Sequence, residues 1–279
     1  MSAGASERRS RPTKEDEAEQ GSPFGADATN GGAMSAATER TRGTMSDELM
    51  LKVTSLDVGY GRAQVLFGVN LEVPAGSLVC VMGRNGVGKT TLLNAIMGIL
   101  PPSAGTIEFQ GQNITRIATY DRVRRGMGYC PQGHETFPQL TVFENLQVTW
   151  EAAKGKKGAI DEALDVFPRL RPFLKRRAGF LSGGQQQMLA MARAMVTGPK
   201  MLILDEPTEG IQPSIVAEIE EVIERLHTEV GLAVLLVEQY VDTAIKLADS
   251  FIVLDAGLVA HAGTAADLHD ADLVRLLAV

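Results

Sequence analysis

No run of this chain is apolar for long enough to make a membrane-spanning helix. The longest strongly apolar stretch, residues 232–237, falls far short of the roughly 20 residues that a bilayer demands. Cysteine is almost missing: only Cys80 and Cys130 occur among 279 residues. Neither belongs to a CxxC pair or lies near a histidine cluster, and each sits in an apolar or strand-like run. Both read as reduced core thiols, which fits a cytosolic compartment. A basic surplus is missing too. The net charge of -7 argues against a general nucleic-acid binder, which needs Lys and Arg to neutralise phosphates. What remains is a globular balance of 44% hydrophobic and 22% charged residues.

Residues 1–47 are rich in Ser, Gly, Ala, Glu and Arg, carry Phe24 as their only aromatic, and contain no apolar stretch resembling a signal peptide. They predict a disordered extension. Met34, Met45 and Met50 offer later starts, so a misplaced start is the alternative. From residue 48 to 279 the pattern is that of a folded domain. Leu51, Val53, Leu56 and Val58, then Val65, Leu66, Val69, Leu71 and Val73, predict short strands broken by Gly59, Gly61, Gly68 and residues 74–76, a small antiparallel sheet. Residues 77–82 read as a buried strand and those from Thr90 onward as a helix on a sheet, with Leu92, Leu93, Ile96 and Met97 inward. A helical insert spans about residues 139–190, interrupted at Pro168 and Pro172. Beyond it, residues 185–196 and 213–230 predict helices, and 201–204, 232–237 and 251–254 predict buried strands. Strands alternating with helices make this an α/β chain with a parallel-sheet core covered on both faces.

Gly83-Arg84-Asn85-Gly86-Val87-Gly88-Lys89-Thr90, followed by Thr91, fits the pattern GxxxxGK[ST] between a predicted strand and a predicted helix. Glycines let backbone N–H groups crowd around phosphates, Lys89 reaches the β- and γ-oxygens, and Thr90 offers a hydroxyl to Mg²⁺. Met201-Leu202-Ile203-Leu204-Asp205-Glu206 is an apolar strand ending in two acids. At the carboxyl edge of a doubly wound sheet, Asp205 is placed to hold Mg²⁺ and Glu206 to polarise an attacking water. Leu181-Ser182-Gly183-Gly184-Gln185, read alone, is a loop capping the next helix.

Taken in order, the phosphate loop, Gln132 after the Tyr129 strand, LSGGQ and LILDEPT resemble an ATP-binding cassette domain from about Leu51 onward. The resemblance implies a small antiparallel subdomain, a helical signature subdomain, ATP and Mg²⁺ as ligands, and hydrolysis between two cassettes. It implies that Tyr60 stacks on adenine, that Gln132 senses metal and membrane subunit, and that Ser182, Gly183, Gly184 and Gln185 act across a dimer interface. The implied partners are a second cassette, two transmembrane permease subunits and, indirectly, a periplasmic or extracellular solute-binding protein, with no nucleic acid. Such a subunit lies in the cytoplasm, peripheral on the inner face of the membrane.

Two departures bear on mechanism. Gln239 stands where the family usually has a γ-phosphate-contacting His, so the resemblance gives Gln239 that role without a titratable ring. Glu209-Gly210-Ile211-Gln212 replaces the usual interface loop. Val237-Glu238-Gln239 is similar to branched-chain amino-acid-type importers, and residues 205–214 with 184–187 look most like their urea-transport branch. That likeness implies urea as cargo, with short-chain amides or branched-chain amino acids as alternatives, and a heterodimer as the working state with a homodimer as the other option. A subunit that mainly completes its partner's site, a phosphate-loop kinase or GTPase, and a cassette acting as a DNA-repair or translation clamp are the rival readings. LSGGQ counts against the kinase, and the lack of a coiled-coil insertion counts against the clamp. None of His134, His227, His261 or His269 replaces the missing ring, and the run Arg169, Arg171, Lys175, Arg176 and Arg177 reads as a solvated face. Turnover is expected to lack a pH limb from position 239, and Gln239→His is expected to stay active. A folded, ATP-binding but inactive Gln239→His protein would refute this.

Overall fold

A strand with period two cannot bury both Val53 and Leu56 on one face unless a residue is added between them. The computed structural model, which describes residues 48–269 and their side chains as far as residue 267, shows that addition. In β1 (Leu49–Tyr60) the register shifts between Val53 and Leu56, with Ser55 at φ +46°. The partner strand β2 (Ala63–Pro74) makes the matching adjustment at Gly68, φ +61°. Asn70 Oδ1 accepts from Ser55 N at 2.9 Å and Asp57 Oδ1 from Gly68 N at 2.7 Å, so the N–H groups freed by the bulges stay satisfied. β1 therefore runs through Gly59 and β2 through Gly68, two of the suggested breaks, while Gly61 does break the chain, in the turn between the two strands.

The chain then forms β3 (Leu78–Met82), α1 (Lys89–Met97), β4 (Ala104–Phe109), β5 (Gln112–Asn113), α2 (Thr119–Arg124) and β6 (Met127–Cys130). The helical insert contributes α3 (Val142–Ala153), α4 (Ala159–Val166), a 3₁₀ turn at Pro168–Phe173 and α5 (Gly183–Met195). After it come β7 (Met201–Asp205), α6 (Pro213–Thr228), β8 (Ala233–Glu238), α7 (Val241–Leu247), β9 (Ser250–Asp255) and β10 (Leu258–Thr264). No described helix is long and apolar enough to cross a membrane. The expected disorder of residues 1–47 lies outside the described residues.

One sheet has the order β2-β1-β4-β5 and is antiparallel; the other runs β10-β9-β3-β8-β7-β6 and is parallel except at β10. Alternation divides the central sheet's side chains between two cores. Val79, Val81, Leu235 and Val237 pack with α1 and the antiparallel sheet. Leu78, Cys80, Met82, Leu204 and Leu236 pack with the helices of the insert and with α6 and α7. Covered on both faces, β3 is apolar throughout and β7 and β8 are apolar up to their acidic last residues, Asp205 and Glu238, as central strands of a parallel sheet require. Cys80 and Cys130 are free and buried, and burial pushes the Cys130 thiol up to about 12. On α6, Ile219, Val222, Ile223 and Leu226 are buried as expected, while Ile215 and Val216 are half-buried. Ile215 lies over Gly184, where a Cβ would come within 2.5 Å of its Cγ2, so the α5 start and α6 approach only because Gly184 lacks one.

Arg122 holds α1 from below. Buried to 1% exposure, it donates to the carbonyls of Ala95 at 2.9 Å and Ile96 at 2.6 Å in the last turn of α1, and to Thr115 and Ile117. A cation at a helix carboxyl end also opposes the macrodipole. Burial alone lowers its pKa to about 10, which keeps it charged. A lysine has no fork to serve these carbonyls. Arg122→Lys is expected to lower stability by about 2 kcal/mol in urea unfolding with an unchanged m value.

Candidate active site

The parallel pairing aligns three chain ends along one edge. Met82 pairs with Glu238 across β3 and β8, and Val237 pairs with Asp205 across β8 and β7. Gly83, Glu206 and Gln239 follow directly, so the phosphate loop and the acids meet without any further folding. The β1–β2 hairpin closes on the loop from the other side: a Cβ at Gly88, φ +111°, would lie 2.6 Å from Leu66 Cδ2. The turn after β9 ties the loop down as well, with Gly257 N donating to Val87 O at 3.1 Å and Gly257 O accepting from Phe67 N at 2.9 Å.

Lys89 is 5% exposed. Its ammonium donates to Gly83 O at 2.8 Å and Arg84 O at 3.1 Å, and pairs with Glu206 Oε1 at 3.1 Å. Lysine and acid thus satisfy each other across the loop, and an anion arriving at Lys89 would have to compete with Glu206 for the same cation. Glu206 itself sits at φ +47°, a left-handed conformation that costs a non-glycine residue of order 1 kcal/mol or more. It is held there by its N–H to Val237 O at 3.0 Å. Gln132 Nε2 donates to Glu206 Oε2 at 3.1 Å and to Glu209 Oε2 at 2.6 Å.

Asp205 is 1% exposed, and among the described residues neither of its carboxylate oxygens has a hydrogen-bond partner of normal geometry. Burial pushes its carboxyl up to about 6, with the Thr90 hydroxyl and Lys89 pulling the other way and Glu206 and Glu209 adding to the rise. A buried carboxylate with no well-formed hydrogen bond among the described residues, beside the Thr90 hydroxyl, suits a hard divalent cation bound through oxygen. Arg84, Asn85, Gly86 and Thr90 are exposed at the mouth, Val87 is half-buried, and Thr91 is buried behind them. Tyr60, 53% exposed, ends β1 opposite Ala63 on the hairpin that packs against Gly88. Gln239 is half-buried, with its N–H on Glu238 Oε2 at 3.2 Å.

Ser182–Gln185 is not part of this constellation within the chain. Ser182 caps α5 reciprocally with Gln185: its N–H donates to Gln185 Oε1 and its hydroxyl accepts from Gln185 N, while its carbonyl accepts from Gln186 N. Exposed Gly183 lies beside His134 and Ile211, residues of the loops that follow Gln132 and Glu209. The histidines are accounted for otherwise. His134 Nδ1 meets Gln187 Oε1 at 2.7 Å, His227 pairs with Asp249 at 3.1 Å, His261 is exposed on β10, and the His269 side chain lies outside the described residues. In the basic run, Arg169 pairs with Glu218 and Arg171 with Asp165 at the surface.

Glu238 and Glu209 received no role from the sequence. Glu238 is fully buried, and its Oε1 accepts from Thr208 Oγ1 at 2.7 Å. Burial pushes its carboxyl up to about 7; Thr208 and Gln239 N oppose that rise and Glu206 adds to it. The signal was there: Ala233–Glu238, like Met201–Asp205, is an apolar strand that ends in an acid.

The family described as "ABC transporter" matches over residues 66–209. The chain belongs to the ABC transporter family. It is 41% identical over 221 residues to a probable branched-chain amino acid transport ATP-binding protein of Archaeoglobus fulgidus, covering 78% of this chain and 94% of the relative. It is 38% identical to a high-affinity branched-chain amino acid transport ATP-binding protein of Pseudomonas aeruginosa, with the same coverage. Among solved structures, an ATP-binding cassette in its ADP conformation superposes with TM-score 0.72 and 26% identity over 82% of this chain and 98% of that one. A dimeric cassette in a post-hydrolysis state bound to ADP and Pi gives TM-score 0.69 and 26% identity over 77% and 99%. This ABC cassette is an ATPase, and its fold is the ABC ATPase fold.

The raised Glu238 pKa fixes a pH dependence. The folded form keeps a proton that the unfolded carboxyl releases near 4.5, so this group's stabilisation is full below that value and is lost as pH rises through about 7. Between pH 5 and 7 the nucleotide-free cassette is expected to lose up to about 1.4 kcal/mol per pH unit from this group. Glu238→Gln should flatten the urea-unfolding profile between about pH 6 and 7; below pH 6 Asp205, whose carboxyl is raised to about 6, adds its own slope of the same sign.

Proposed function

We propose that this chain is the ATP-hydrolysing subunit of an importer whose cargo is of the branched-chain amino-acid class. The observation that carries the cargo is the 41% and 38% identity to two proteins named for branched-chain amino acid transport, across 94% of each. In this reading the backbone of Gly83–Thr91 and the Lys89 ammonium hold the phosphates of ATP, and Tyr60 faces the adenine. Thr90, Asp205 and Gln132 would hold Mg²⁺, which neutralises charge on the β- and γ-phosphates. Lys89 leaves Glu206 for the phosphates; the freed carboxylate then orients a water for attack, and Gln239 donates to the γ-phosphate. Catalysis is positioning and charge compensation.

Ser182, Gly183, Gly184 and Gln185 serve the partner cassette's nucleotide. The exposure of Ser182 and Gly183, with no bond to their own phosphate loop, supports this, as does the helix amino end that Ser182 caps. The partner is a second, different cassette, with a homodimer as the alternative. Permease subunits dock near Gln132, where exposed Phe137, Phe143 and Phe180 lie on two segments stitched by Val142 N to Arg176 O, Ala178 N to Leu140 O and Gly179 N to Pro138 O. The cassette then works in the cytoplasm on the inner face of the membrane, with a solute-binding protein reached only through the permeases.

Urea is the second reading, favoured by the pattern of residues 184–187 and 205–214. Uptake of labelled leucine, urea and short amides in cells lacking this subunit separates them. Leucine uptake is expected to fall and to be restored by wild type but not by Glu206→Gln; loss confined to urea or amide uptake would overturn the cargo. Purified Glu206→Gln should keep ATP binding and lose at least about 100-fold in turnover.

A further inference from the structure

We infer that Glu238 is a positioning residue for hydrolysis: its carboxylate braces the loop that carries Glu206 and Glu209 to the backbone of Gln239. The inference rests on the nucleotide reading above and adds to it a link between two parts of the site. Glu238 Oε1 accepts from Thr208 Oγ1 at 2.7 Å, and Oε2 accepts from Gln239 N at 3.2 Å. Thr208 lies two residues after Glu206 and just before Glu209, whose carboxylate holds Gln132. A single side chain therefore spans from the segment that would polarise water to the segment that would touch the γ-phosphate.

The surroundings explain why the link is rigid. Glu238 ends β8 between Met82, the residue before the phosphate loop, and the β7 strand that delivers Asp205. It is wholly buried, and Thr208 is buried beside it. A carboxylate in such a place costs several kcal/mol unless donors meet it, and an apolar side chain would fill the space at less cost. Both of its oxygens are used, and both bonds run to the active segments rather than to the scaffold. Glu206 needs support of this kind: its left-handed backbone is held by the Val237 carbonyl, one residue before Glu238. The Thr208 bond adds a second anchor on the far side of Glu206. When Gln239 shifts toward a γ-phosphate, its N–H pulls on the same carboxylate that fixes Thr208, and the Glu206–Glu209 segment moves with it.

The test uses the full-length purified chain with MgATP hydrolysis, binding of a fluorescent ATP analogue and thermal unfolding measured side by side. Thr208→Val keeps the shape and removes the donor. It is expected to lower kcat about tenfold while KM and nucleotide Kd stay within about twofold of wild type. Thr208→Ser, which keeps the hydroxyl, should restore turnover. Glu238→Gln should also lower kcat, and the double substitution should lose no more than the larger single one. Wild-type kcat in folded Thr208→Val would overturn the brace, as would a joint loss of kcat, nucleotide affinity and melting temperature. A wild-type chain that neither binds nor hydrolyses MgATP would instead overturn the nucleotide reading, and the brace with it.

Discussion

The parallel register of β3, β8 and β7 is the constraint from which the rest of the site follows. Parallel strands end at the same edge, and here Met82, Glu238 and the Val237–Asp205 pair reach that edge together. The loops that leave it have no length in which to wander. Gly83 starts the glycine-rich loop, Glu206 turns back onto the Val237 carbonyl, and Gln239 hydrogen-bonds its own neighbour. A slip of one residue would turn every inward side chain outward, so the two cores that sandwich this sheet also fix where these edge residues sit.

The edge carries an excess of negative charge when no nucleotide is bound. Asp205, Glu206 and Glu238 are buried there with Lys89 as the buried cation, and Glu209 adds a further carboxylate at the mouth. The consequences are visible in raised carboxyl pKa values at Asp205 and Glu238 and in the Lys89–Glu206 pair. In the proposed reading these charges would suit a ligand that brings its own cation and takes Lys89 for itself. Binding would then relieve a cost stored in the fold, and release of Glu206 from Lys89 would accompany arrival of the phosphates.

The helical insert is built on different principles and needs less from long-range pairing. Thr141 with Glu144 and Ser182 with Gln185 form reciprocal capping boxes at the starts of α3 and α5. Asn145, fully buried, ties the backbone of Phe137, Leu140 and Thr141 to α3. Arg193 stacks on Phe137 at 4.5 Å and bonds Thr149 at 3.2 Å. The segment after Gln132 is thus anchored to the insert at one end and, through Gln132, to Glu206 and Glu209 at the other.

Local patterns in the sequence sufficed for the elements and motifs whose residues are neighbours in the chain. The phosphate loop, the LILDE strand, the α5 cap and the alternation of β1 and β2 all depend on spacings of a few residues, which sterics and periodicity read directly. The β1 and β2 bulges, α2 and its buried Arg122, and the short edge strands were not legible, because each is stabilised by partners far along the chain. The same holds at the site. That Lys89 pairs with Glu206, that Gln132 reaches Glu209, and that Glu238 is buried against Thr208 follow from strand order and register. A contact between residues 30 to 117 positions apart is decided by which strands lie side by side, and no local spacing encodes that.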